Sequence, residues 1–202
     1  MKIQSIHLKH ILHFADLKVD FSYHDKPVTL ILGDQASGKT SILRFSYQAL
    51  TWFAARYKDL RSAGVVMLDH DIMLNRLQSK IDIQVAVPAE LYALKPTAAD
   101  TATEPYAWQL YKTLNQQGIG ISRVETLELE QLVNLYQQAT LQDPLQGLPL
   151  IAYYPAERFV NEMNILSKNN PLIFQHAHAY EISAIPYTTF ARFFEWFREI
   201  SD

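Results

Sequence analysis

Eight residues constrain this chain more than any others. Gly33-Asp34-Gln35-Ala36-Ser37-Gly38-Lys39-Thr40 fits the spacing G-x-x-x-x-G-K-[ST], and Ser41 follows it. A polyphosphate needs many N–H donors turned inward, and the two glycines let the backbone curl close around it. Lys39 then supplies a point charge, and Thr40 is expected to place its hydroxyl on Mg²⁺. The positive end of the following helix adds to the attraction for anions. All nine residues, Gly33, Asp34, Gln35, Ala36, Ser37, Gly38, Lys39, Thr40 and Ser41, are candidate nucleotide contacts, with Lys39 the candidate catalytic cation and Thr40 the candidate metal ligand. Ser41 is expected to cap the helix. The context fits: residues 28–32, Val-Thr-Leu-Ile-Leu, suit a strand buried on both faces, and residues 40–57 read as helical. A chance glycine-rich turn is the bland alternative, and a strand and a helix in register weigh against it.

The charge balance narrows the partners. A net charge of -3 and a pI near 6.2 create no global basic field, so an autonomous nucleic-acid module is not indicated, although a local basic patch stays open. Nearly half of the 202 residues are apolar and 19% are charged, as in an ordinary globular chain. No apolar run reaches the length of a membrane span, and His7, Lys9, His10 and His13 interrupt any signal-peptide pattern. With no cysteine, disulfides and thiolate zinc sites are excluded, and the cytoplasm is the expected compartment.

Two strand-like pieces precede the loop, residues 2–8 and residues 17–21, each alternating polar and apolar, and they make an antiparallel pair. The first reads I-x-x-I-x-L-K-H-I-L-H-F from Ile3 to Phe14, the second ends in Phe21, and the P-loop follows. This order resembles the start of ATPase heads of the RecF, SMC and ABC-like class. Those heads usually carry G-x-N-G-x-G-K-[ST], and Gln35-Ala36 stands here where Asn-Gly is usual. The resemblance implies ATP and Mg²⁺ as cofactors. It also implies adenine or ribose contacts from near the first strands, for which His10, His13 and Phe14 are the candidates by position, beside a plain packing role.

Further along, Ile42, Leu43, Phe45, Ala49, Leu50 and Phe53 give the helix a core face, and Arg56, Lys58 and Arg61 read as its solvated basic end. Residues 64–71, Gly-Val-Val-Met-Leu-Asp-His-Asp, imitate a Walker B strand, but Asp69 is followed by His70 and not by a catalytic Glu, so the segment reads as a decoy. A metal cluster of Asp69, His70 and Asp71 is disfavoured because consecutive strand side chains face opposite ways. Residues 81–87 alternate cleanly as a strand, residues 95–105 read as a mobile loop, and residues 106–111 as the returning strand. By resemblance this pair is the antiparallel lobe that such heads insert after the P-loop helix. A one-sided helix over 125–141 and a second buried strand over 148–155 follow. No Gln succeeds that strand at the position of the resembled class's Q-loop, leaving Glu157, Arg158 or an ordinary salt-bridged loop. His176 and His178 lack a nearby third ligand, and Phe190, Phe193, Phe194 and Phe197 form a helical stripe suited to core or interface.

The expected fold is therefore α/β, a P-loop NTPase of ABC/RecF-like type, with a mixed sheet around the P-loop helix and an inserted antiparallel β-lobe. The division is residues 1–60 for the P-loop core, 61–125 for the lobe, and 126–202 for the helix, return strand and aromatic helix. No signature motif or Walker B acid pair is recognisable after residue 160, so the chain is expected to be the N-terminal lobe of a longer ATPase, binding ATP without appreciable turnover by itself. By resemblance, its partners are the rest of the head, a second ATPase subunit, and DNA or an effector protein, in DNA repair, chromosome maintenance or phage defence, with no membrane role. A small P-loop phosphotransferase and a non-hydrolysing signalling module are the alternatives.

Overall fold

Alternation along the first strand decides the architecture, because it sorts side chains onto two unlike faces. The computed structural model describes residues 1–23, 28–92 and 105–155. Strand β1 (Lys2–Ile11) buries Ile6, Leu8 and Ile11 on one side and sets His7 and Lys9 on the other. It pairs antiparallel with β2 (Phe14–Asp20) on one edge and with β3 (Gln78–Ala86) on the other, with a register shift between Ile3 and Ser5. Strands β4 (Tyr106–Leu114) and β5 (Gly120–Glu125) extend the sheet to the order β2-β1-β3-β4-β5, all antiparallel. The strands expected downstream thus join the N-terminal pair edge to edge in one layer.

Register carries the apolar face across the sheet: Leu17, Leu8, Ile81, Leu110 and Val124 lie side by side in one row, and Val19, Ile6, Ile83 and Trp108 in the next. Helices α1 (Lys39–Lys58) and α3 (Leu127–Gln142) close over these rows; a one-turn helix α2 (Ala89–Tyr92) follows β3. Phe53 of α1 meets Tyr136 of α3 edge to face at 5.4 Å, and the indole N–H of Trp108 donates to the Ala49 carbonyl at 3.0 Å. The opposite face is polar. There His7 lies 2.6 Å from Asp16 and 3.5 Å from Asp82, and Lys80 lies 2.8 Å from Asp82. The His7 hydrogen bond holds the Asp16 carboxyl below the usual carboxylate range. No helix among the described residues is long and apolar enough to cross a membrane.

Strand β5 escaped the sequence reading, although its signal is present. Asn115 and Gly118 build the turn before it: the Asn115 side chain accepts from the Gln117 and Ile119 amides at 2.9 and 2.8 Å, and Gly118 takes φ 75°.

Two expectations need correction. Residues 28–32 are not a strand buried on both faces: Ile31 packs on the core, while Val28, Leu30 and Leu32 are exposed, and no described strand pairs with them. The run at 148–155 behaves alike, with Ile151 buried, Leu148 and Tyr153 partly buried, and Leu150 and Tyr154 exposed. An apolar run becomes a two-sided strand only where both faces find cover, and here each run has cover on one side only, for 148–155 from α1. Tyr153 stacks on Tyr47 of α1 at 4.9 Å, and burial, aided by Tyr153, pushes the Tyr47 hydroxyl up to about 12. The expected features at Glu157, Arg158, His176, His178 and the 188–200 stripe lie outside the described residues, as does most of the 95–105 loop.

Among the described residues Trp108 is the largest fully buried side chain, and its removal leaves a void beneath α1. Trp108→Ala is expected to cost about 3–5 kcal/mol, read as a lower urea midpoint.

Candidate functional site: the phosphate loop and its flanking turn

Between residue 32 and α1 the backbone has few local bonds, so its shape is set by conformation and by one long side chain. Ser37 N–H donates to Asp34 C=O at 3.3 Å, and Ala36 and Gly38 take left-handed φ of 61° and 89°. Ala36 stands where the resembled class usually has glycine, in the conformation that glycine adopts without penalty. Gly38 has no substitute: a Cβ there would fall 2.3 Å from Phe14 Cζ and 2.6 Å from His13 Cε1. At Gly33 a Cβ would lie 2.8 Å from Ser37 Oγ. At Gly38 the left-handed φ and the two rings together exclude a side chain, whereas at Gly33 the Ser37 hydroxyl would have to move.

Lys39 folds back over the loop. Its ammonium donates to the Gly33 carbonyl at 2.7 Å, to the Asp34 carbonyl, and to Ser37 Oγ at 3.2 Å. These acceptors are neutral, so an anionic phosphate oxygen taking their place would add Coulomb attraction for the ammonium. The helix begins at Lys39 with Gly38 as N-cap, and its first α-helical bond runs from Ile42 N–H to Gly38 C=O at 3.0 Å. Ser41 is therefore not the cap, as the sequence reading had it. It sits inside the first turn, because the left-handed Gly38 already ends the loop. That turn holds no acidic residue, so an anion at the amides of Lys39, Thr40 and Ser41 meets no fixed negative charge from the helix. Thr40 is exposed beside them.

These features fit a polyphosphate: a cradle that a Cβ would fill, a lysine turned into it, and a helix start without acids. Gln35, exposed like its neighbours, makes no contact described here.

One wall of the loop comes from elsewhere in the chain. The turn between β1 and β2 brings His13 and Phe14 together with ring centroids 4.0 Å apart, and both rings lie against Gly38. Two of the three residues named from position in the sequence are thus at the loop. His10 is not brought there by any described contact: it bends β1 at φ 53° and its carbonyl accepts from Met73 N–H at 2.8 Å.

The Walker-B-like segment forms no strand. Residues Asp69–Asp71 make a 3-10 turn whose two carboxylates point to different partners. Asp69 pairs with Lys112 of β4 at 2.8 Å, beside Gly120, where no Cβ would fit. Asp71 is fully buried and accepts from Arg44 of α1 at 2.5 Å. Sequence reasoning weighed Asp71 only as a metal ligand and passed over Arg44. The available signal was a cation interrupting the apolar run Ile42, Leu43, Phe45. Among the described residues no group of three or more His, Asp or Glu side chains gathers as a metal site.

Residues 5–194 match the AAA domain family. Along its whole length the chain is 22% identical to the Retron Vc95 probable ATPase of Vibrio cholerae serotype O1 biovar El Tor, over 211 aligned residues, and it spans 38% of that relative. A solved structure from work on ATP-driven dimerisation and DNA-stimulated activation of SMC ATPases superposes with a TM-score of 0.38 and 14% identity, over 67% of this chain and 79% of that one.

Gly38→Ala tests the close approach. The added methyl must displace the His13 and Phe14 rings, and the left-handed φ adds strain. Mg-ATP affinity measured by calorimetry is expected to fall by about tenfold or more, with the melting temperature changed far less than by Trp108→Ala.

Proposed function

This chain belongs to the AAA domain family, and from that membership we propose that it is the ATP-binding N-terminal lobe of an ABC-like ATPase serving a retron-type system. One observation carries the reading: Lys39 is turned onto the loop between Gly33 and Gly38, with the His13 and Phe14 rings closing one side.

The roles follow from chemistry. The loop from Gly33 to Gly38 and the first amides of α1 hold the phosphates. Lys39 would balance negative charge at the terminal phosphate, and Thr40 would hold a Mg²⁺ ion, which would supply further positive charge there. His13 and Phe14 offer the base or ribose an apolar, stackable surface. ATP supplies a phosphoanhydride whose terminal phosphoryl group can pass to water or another acceptor. Accelerating that transfer also requires an acid or amide that orients the attacking water. Asp69, the Walker-B-like candidate, is engaged by Lys112 instead.

The chain spans 38% of the Vibrio cholerae relative, and the remaining parts of the site come from the rest of the head and from a second ATPase subunit. Similarity along the whole of this chain, though over 38% of the relative, to a probable retron ATPase supports a role beside a retron, within the wider set of DNA repair, chromosome maintenance and phage defence. DNA or an effector protein is the proposed downstream partner, and the cytoplasm the proposed location.

Lys39→Ala is expected to abolish Mg-ATP binding in titration calorimetry, since it deletes the loop's one long cationic side chain. Phosphate release by the unmodified chain, followed over hours, is expected to stay far below about one per second. Turnover at that rate, surviving dilution and lost in Lys39→Ala, would replace this reading by that of a self-sufficient phosphotransferase.

A further inference from the structure

We propose that the ion pair between Arg44 and Asp71 is a positioning device for the nucleotide site, through which the P-loop helix holds the β1–β2 turn and so keeps His13 and Phe14 against Gly38. The inference rests on the reading above, in which that turn is the base-side wall of an ATP site.

Asp71 sits at a crossing of three elements. One carboxylate oxygen accepts from Arg44 Nη2 at 2.5 Å and the other from the Leu68 amide at 2.8 Å. The His70 ring nitrogen lies 3.9 Å away. The Asp71 main-chain carbonyl accepts from the Leu12 amide at 2.8 Å. Two more main-chain links bind the same segments, Met73 N–H to His10 C=O at 2.8 Å and an antiparallel bridge between Ile11 and Ile72. Residues 71–73 therefore grip residues 10–12, immediately before His13.

That grip is needed because the turn is not self-supporting. His10 and Leu12 both take left-handed φ, 53° and 51°, a conformation that side-chain-bearing residues hold only where their surroundings impose it. The gripping segment in turn depends on its own anchor. A fully buried carboxylate is tolerated only when paired, and the cation that pairs it comes from α1, five residues beyond Lys39. Arg44 is half-buried, its guanidinium 4.5 Å over the Phe45 ring, so its direction is set by packing. A closed circuit results: loop to α1, Arg44 to Asp71, Asp71 to Leu12, then His13 and Phe14 back onto Gly38. Moving Asp71 shifts the wall without touching the phosphate cradle.

The test separates wall from cradle. Affinities for Mg-ATP and for magnesium inorganic triphosphate are measured by calorimetry on the full chain carrying Arg44→Lys or Asp71→Asn. Positioning predicts a loss of about tenfold or more for ATP, the scale of one lost stacking contact, and less than about twofold for triphosphate. Arg44→Lys keeps the charge and loses only the planar fork, so it carries the experiment if Asp71→Asn does not fold. Hydrogen exchange without nucleotide is the second readout: amides of residues 10–14 should exchange faster while those of β3 and β4 hold. Equal losses for the two ligands, no loss for ATP, or unchanged exchange at residues 10–14 would overturn the proposal. If the unmodified chain binds no ATP, the nucleotide reading fails instead, and the exchange pattern still decides the role of the ion pair.

Discussion

Burial of α1 on the apolar face of the antiparallel sheet is the constraint on which the rest depends. Phe45, Ala49, Trp52 and Phe53 are removed from water against Ile6, Leu8, Ile81, Ile83 and Trp108, a contiguous core. Each large apolar side chain so buried contributes roughly 1.5–3 kcal/mol, and their sum outweighs the few polar contacts at the loop. The direction in which α1 leaves Gly38 is set by this packing. A loop with few internal bonds thereby acquires a defined shape and a fixed helix end at its base.

The same packing explains why the loop's walls come from distant sequence. Pairing of β1 with β2 and β3 brings the β1–β2 turn beside the start of α1, and the segment before β3 crosses to meet it. Polar anchors then fix what apolar packing leaves free to slide. Asp69 ties the 3-10 turn to β4 through Lys112, and Asp71 ties it to α1 through Arg44. Adjacent carboxylates that mimic a metal-binding strand in sequence thus act as two separate structural anchors.

Departures from the family pattern become intelligible in this frame. Ala36 occupies a left-handed position usually served by glycine, and an isolated residue of this kind is tolerated where a loop is otherwise restrained, here by the Lys39 side chain across it. The half-covered segments at 28–32 and 148–155 have an equally simple cause. Each presents one side to the core, through Ile31 in the first and Ile151 in the second, and the residues Leu30, Leu32, Leu150 and Tyr154 are exposed.

By itself the sequence determined the loop at 33–38, the helix behind it, the strands at 2–8, 81–87 and 106–111 and the helix at 125–141, because each is a local pattern of period or spacing. It also pointed to His13 and Phe14, though only through resemblance. The tertiary structure decided the rest. Whether an apolar run such as 28–32 is covered on one side or two depends on what packs against it. That Gly38 caps α1 and not Ser41 depends on a backbone angle with no sequence period. The pairing of Arg44 with Asp71 joins residues 27 positions apart, a contact that no spacing rule announces and that exists only because strand pairing and helix burial bring the two segments together.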